Sequence, residues 1–294
     1  MMQNTRKSNF NEIAMQAIFF MSALVSVLAV IAICLFLFIR GIPAIAEIGF
    51  MDFIFNAKWG PTNTPASYGI LSMIVGSIYV TAGAIAIGVP VGLMCAIFLA
   101  EFCPDIIYKI VKPAVNLLAG IPSIIYGFFG MEIVVPFVRD YIGGNGYSIL
   151  SASIILGIMI LPTIITISES SLRAVPQSYK EGSYGLGATK EETVFKIAVP
   201  AAKSGVLTSL ILGIGRAVGE TMAVVMVAGN SVMPLDKIKL LKPIRTLTTN
   251  IVTEMSYASG LHESSLIATG VVLFVFIIIL NTALSLVKSK SSRN

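Results

Sequence analysis

The sequence predicts an all-α integral membrane protein of six transmembrane helices, and three observations carry that reading. The first is composition: of 294 residues, 56% are hydrophobic and only 12% charged, with a mean hydropathy of +0.89. Soluble domains hold about 25% charged residues. A chain this apolar has too few polar groups to cover a water-facing surface. The second is how the apolar residues are blocked. No charge falls within 13–39, 59–100, 113–131, 141–168 or 264–287, and in a sixth stretch, 204–229, Arg216 and Glu220 are the only charges. A span needs about 20 predominantly apolar residues at 1.5 Å each, and every stretch reaches that length. The third is the sidedness of Lys and Arg. With the N-terminus placed in the cytoplasm, twelve fall on that side and seven outside, which favours both termini inside. The net charge of +5 then belongs to topology and not to nucleic-acid binding.

Taken in order, the expected helices are 13–39, 69–100, 113–138, 148–168, 204–229 and 264–287. They are flanked by cytoplasmic tails at 1–12 and 289–294. The first follows Arg6 and Lys7, as a signal peptide would. Its 27 uncharged residues exceed the roughly 7–15 of a cleavable segment, and no small-residue cleavage site follows, so it reads as a retained anchor. The second is long for one crossing. Pro90, between Gly88 and Gly92, predicts a kink whose freed backbone groups neighbouring helices satisfy. Glu132 lies in the outer half of the third helix and receives no role. Phe50, Phe53, Phe55 and Trp59 suit an interfacial belt. Cys34, Cys95 and Cys103 suggest neither a disulfide nor a nucleophile, and His262 has no metal-ligand spacing around it. No cofactor is called for.

Residues 169–203 form a cytoplasmic connection of 35 residues, far longer than the 2–8 usual between helices. Leu172, Val175, Tyr179, Tyr184, Leu186, Val194, Phe195, Ile197 and Val199 recur within it, several three or four apart. Thr189-Lys190-Glu191-Glu192 spells a capping box. Two short helices joined by a turn at Gly185 and Gly187 are expected. Their apolar residues need cover, from the base of the bundle or from another protein. No G-x-x-x-x-G-K-[ST] occurs anywhere, so any nucleotide chemistry must come from another chain.

Arg216 falls near mid-bilayer, where an arginine costs about 2.5–3.5 kcal/mol on insertion scales. Glu220, four residues on, is expected on the same helix face. Two readings stand: an ion pair tying the helix to its neighbours, or a charged lining of a transport path. An oxyanion would use both residues. The guanidinium fork matches phosphate oxygens, and an acceptor-only carboxylate could take a hydrogen bond from a protonated oxyanion. Gly215 and Gly219 read as a close-packing face between helices.

Beyond these derivations, several motifs carry a resemblance. Glu181-Gly182-Ser183, three residues, Gly187, nine more, then Ile197-Ala198-Val199-Pro200 resembles the signature loop of ABC-importer permeases, with Gly182, Ser183 and Val199 departing from its two alanines and its leucine. Gly215 to Thr221, the run Gly120 to Gly130, and Tyr68-Gly69-Ile70-Leu71 resemble the phosphate-specific members of that family. Trp59-Gly60-Pro61 leans toward the PstC-type subunit over its PstA-type partner. The resemblance implies a type I ABC-importer permease fold in the inner membrane. It implies that Glu181, Gly182, Ser183, Gly187, Ile197 and Pro200 meet a cytoplasmic ATP-binding subunit, present in two copies. It further implies that Arg216, Glu220 and Thr221 line the substrate pathway, and that a homologous PstA-type permease completes the pore. An extracytoplasmic phosphate-binding protein would deliver inorganic phosphate to the outer loop 230–263. Its Lys237, Lys239, Lys242 and Arg245 suit either an acidic rim on that protein or plain solvation. A permease for molybdate or sulfate, and a secondary symporter, are the alternatives; no internal repeat between 13–138 and 148–287 supports the symporter.

Overall fold

The computed structural model describes residues 3–293. The elements that position the site are α1 (Gln3–Ile48), α2 (Phe50–Phe55), a two-stranded hairpin of β1 (Trp59–Gly60) and β2 (Ser67–Tyr68), α3 (Leu71–Ile97), α4 (Asp105–Gly120), α5 (Ser123–Ile142), α6 (Ile149–Arg173), α7 (Gln177–Gly185), α8 (Lys190–Ala201), α9 (Lys203–Gly219), α10 (Met222–Val227), α11 (Leu247–Glu254) and α12 (Leu261–Arg293). Among the described residues, four helices are long and apolar enough to cross a membrane unbroken, and the number is up to six if each of two bent pairs is one span. Helix is the natural choice, since lipid offers no partner to a backbone amide.

Two of the six expected helices, at 113–138 and 204–229, are bent or broken. The stretch expected at 113–138 turns by 101° between α4 and α5. Pro122 causes it: proline disfavours the helical region for the residue before it, and Ile121 is extended at ψ 125°. The stretch expected at 204–229 also breaks. It meets α8 at 69°, and α9 stops at Gly219 with Glu220 extended at φ −72°, ψ 132°. Pro90 and Pro162 interrupt neither α3 nor α6.

The core sits where α3 packs along α6. Cβ atoms added at Gly88 and Gly92 would come within 2.9 Å of α6 atoms, so these glycines let the helices close together. Ile155, Leu156, Met159, Ile160 and Ile164 of α6 are fully buried in that seam. Gly127 and Gly130 of α5 do the same for α10, against Met226 and Val227. Gly215 and Gly219, expected as a packing face, do not serve as one within this chain. A Cβ at Gly219 would meet nothing within 4 Å, and one at Gly215 only Asn281 at 3.9 Å.

Candidate functional site

The interruption after α9 places the charged residues of the fifth stretch. Arg216 lies in the last turn of α9, where the carbonyl end of the helix dipole favours a cation. It makes no ion pair among the described residues. The expected pairing with Glu220 on one helix face fails, because Glu220 is no longer helical. Its carboxylate instead turns forward, and Oε1 accepts the Ala223 amide at 3.2 Å, capping α10. Thr221 donates its hydroxyl to the Gly219 carbonyl at 3.4 Å. The backbone groups exposed by the break thus find partners from adjacent side chains, as lipid demands.

Around Glu220 the fold gathers hydroxyls that sequence reasoning missed. Ser77 and Thr81 come from α3, Thr246 caps α11 and Thr248 lies in its first turn. Thr248 donates to the Glu220 carbonyl at 3.1 Å, and its Oγ1 lies 3.0 Å from that of Thr246. Ser77 Oγ accepts the Leu247 amide at 3.0 Å. With Glu220 they line a cavity of about 10 Å³, room for a single water. Only Ser77 and Thr81 lie on one helix face, and nothing local in the sequence brings the other pair to them.

Farther out, a second polar cluster ties the outer segments together. Glu254 is 8% exposed and accepts from the Trp59 indole at 2.9 Å, pairs with His262 at 2.9 Å, and is bridged by Arg245. Arg245 also donates to the Asn230 carbonyl at 2.9 Å and to Asn250 Oδ1 at 3.0 Å. Burial pushes the Glu254 carboxyl up, and hydrogen bonds from Trp59, His262 and Arg245 outweigh it, holding the carboxyl below its ordinary value. Arg245 is thus turned inward, whereas Lys237, Lys239 and Lys242 are exposed. Trp59 is a structural donor here in addition to any interfacial role.

On the opposite side, α7 and α8 form the expected helix–turn–helix. Gly187 adopts φ +84°, the left-handed turn conformation that glycine tolerates. The capping box forms in both directions, at 3.2 Å each. Ser183, where the family carries alanine, shares a 2.9 Å hydrogen bond with buried Thr193 and so joins the two helices. Glu181, Gly182, Gly187 and Pro200 are exposed, and Ile197 is half-buried to exposed at 36%. Leu186 at the turn is 92% exposed and Phe195 58%. The bundle therefore covers Leu172, Val175 and Val194 of this segment but leaves Tyr179, Tyr184, Leu186 and Phe195 uncovered.

A multi-pass membrane subunit with a charged helix break inside and an uncovered apolar turn outside the bundle is the architecture of a transport permease. The chain belongs to the family of binding-protein-dependent transport system inner membrane components, whose model matches residues 88–293. Among relatives, it is 38% identical over 257 residues to a probable ABC transporter permease protein, YqgH, of Bacillus subtilis, covering 86% of this chain and 83% of that one. It is 37% identical to the phosphate transport system permease protein PstC of Mesorhizobium japonicum, covering 79% and 76%. It is 35% identical to the probable PstC of Methanocaldococcus jannaschii, covering 84% of each. In fold it is similar to a chain of an inward-facing structure of the MetNI methionine ABC transporter, with a TM-score of 0.56 at 20% identity, covering 76% of this chain and 94% of that one.

Proposed function

We propose that this chain is the PstC-type permease subunit of an ATP-driven inorganic phosphate importer, forming half of the pathway and hydrolysing no ATP itself. The observation that carries the reading is Arg216: a guanidinium in the last turn of α9, four residues before the extended Glu220, and without an ion-pair partner among the described residues. An unpaired intramembrane charge is costly to keep unless a substrate uses it. Relatives named as phosphate permeases, 35–37% identical over most of the chain, supply the substrate. Arg216 would take the oxyanion on its donor fork. Glu220 would accept the proton that phosphate carries and sulfate lacks, and Thr221 would line the same path.

The uncovered residues of α7 and α8 fit the other half of the task. Leu186, Tyr184 and Phe195, with Glu181 and Gly187 at the turn, offer a surface for a cytoplasmic ATP-binding subunit, two copies of which would serve this chain and a homologous PstA-type permease. Both termini would lie in the cytoplasm, and the segment around Lys237, Lys239 and Lys242 would face the phosphate-binding protein. The test is ATP-dependent uptake of radiolabelled phosphate into liposomes holding the complete complex. Accumulation resistant to excess sulfate supports the reading, and accumulation driven by an ion gradient without ATP overturns it.

A further inference from the structure

Helix α7 has no buried residue. Tyr179, Tyr184 and the following Leu186 are exposed, so apolar packing does not hold α7 against the bundle. An ion pair does. Lys180 reaches both oxygens of Glu101, at 2.6 and 2.8 Å, with side chains only 13% and 7% exposed. Glu101 sits on the π-helical turn Phe98–Phe102 that ends α3. The same turn receives two further cations from the connecting segment. Arg173 donates to the Leu99 carbonyl at 2.9 Å, and the Lys190 ammonium lies 5.1 Å over the Phe102 ring. At the far end of the same helix stand Ser77 and Thr81, in the wall around Glu220. Helix α3 thus has the polar site at one end and the attachment of α7 at the other.

A paired, desolvated charge holds its geometry far better than a solvated one, and removing one partner leaves the other uncompensated. Given the transport reading above, we infer that Lys180 and Glu101 are positioning residues for coupling. Through them, displacement of α7 by the ATP-binding subunit becomes displacement of α3, and with it of the hydroxyls beside Glu220. Neither residue touches substrate. Lysine here acts as a point charge on a flexible stem, so the linkage should survive exchange of the two residues.

The test uses the complete complex in liposomes, with ATP hydrolysis and phosphate uptake read on the same vesicles. Lys180→Met and Glu101→Gln are each expected to lower phosphate moved per ATP about fivefold while hydrolysis stays within about twofold of wild type. The exchanged chain, Lys180→Glu with Glu101→Lys, is expected to return the ratio to within about twofold. A purely structural pair would reduce hydrolysis and uptake together, and an unchanged ratio in the single variants overturns the proposal. If those variants do not assemble, Glu101→Asp decides. It keeps the charge and shortens the arm, and the ratio should fall about twofold; an unchanged ratio there is equally fatal. A wild-type complex that hydrolyses ATP without moving phosphate removes the transport reading and this inference with it. An unchanged ratio beside a working wild type removes the inference alone.

Discussion

Arg245 and Arg216 each have a glutamate within ten residues, and the fold treats the two pairs in opposite ways. Glu254 follows Arg245 by nine positions, and α11 brings the two together with Trp59 and His262. Glu220 follows Arg216 by four, the spacing at which a continuous helix would pair them, and the chain stops being helical just there. One arginine ends up bonded to a carboxylate, a backbone carbonyl and an amide oxygen. The other ends up at a helix terminus without a carboxylate. The difference separates two uses of the same chemistry: a satisfied pair ties the outer segments together, whereas in the separated one Glu220 caps α10 and Arg216 has no ion-pair partner among the described residues.

The comparison can be broken first at the satisfied pair, where the largest effect is expected. Arg245→Met leaves Glu254 buried with only Trp59 and His262 as side-chain partners. Breaking such a pair costs about 3–5 kcal/mol, and the 17% exposure of Arg245 places this one toward the lower end. Thermal unfolding of the detergent-purified chain should show a clear fall in Tm. Equal Tm values for variant and wild type would mean that the cluster does not hold the outer segments.

The separated pair is sharpened by Glu220→Gln. Glutamine can still accept the Ala223 amide, so the cap on α10 survives, but it is a weaker acceptor for an acidic proton than a carboxylate. Discrimination of phosphate against sulfate in competition uptake should fall about tenfold, or about 1.4 kcal/mol. Selectivity equal to wild type would remove Glu220 from the recognition step.

Acidification probes the satisfied pair again, with a smaller effect. The Glu254 carboxyl is held below its ordinary value. Its contribution is therefore present above the usual glutamate range and is lost as pH falls through the depressed value. Trp59 is the sole tryptophan and donates directly to Glu254, so its emission reports on the cluster. The emission should hold from neutral pH down to about 4.3, the ordinary glutamate pKa, and change only below it. A transition centred well above that range would assign the cluster's titration to another group.

The smallest expected effect lies in the cytoplasmic segment. Thr189→Ala removes the reciprocal cap at the start of α8 and should cost about 1 kcal/mol locally. Faster amide exchange over 190–193, with Tm barely changed, is the expected signature. Unchanged exchange there would show that tertiary contacts alone hold the helix start.

These outcomes follow the line between what the sequence could say and what it could not. Membrane spans were legible because lipid imposes a local requirement, some twenty apolar residues in a row. The capping box at Thr189 was legible for the same reason, since both partners lie within four residues. The bend at Ile121 was half-legible. Pro122 signals it, but Pro90 and Pro162 carry the same signal in helices that do not break, so proline alone does not decide. The break at Glu220 has no proline. It is accompanied by a hydrogen bond from Thr248, 28 residues away, to the Glu220 carbonyl, and no periodicity encodes that contact. Trp59 and Glu254 are 195 residues apart, and their hydrogen bond exists only once α1, α11 and α12 are placed. Arg216 and Glu220 stand out in the sequence as intramembrane charges, yet the shared helix face that their spacing predicts is one that the fold does not form.

The central claim is that Arg216 is left without a carboxylate so that phosphate can use it. Radiolabelled phosphate uptake by Arg216→Ala, at equal density of assembled complex and with Tm measured alongside, tests it most directly. The account predicts uptake reduced at least about a hundredfold with Tm close to wild type, the reverse of the pattern for Arg245→Met. Wild-type uptake by the alanine variant, or a fall in Tm that matches the fall in uptake, would contradict it.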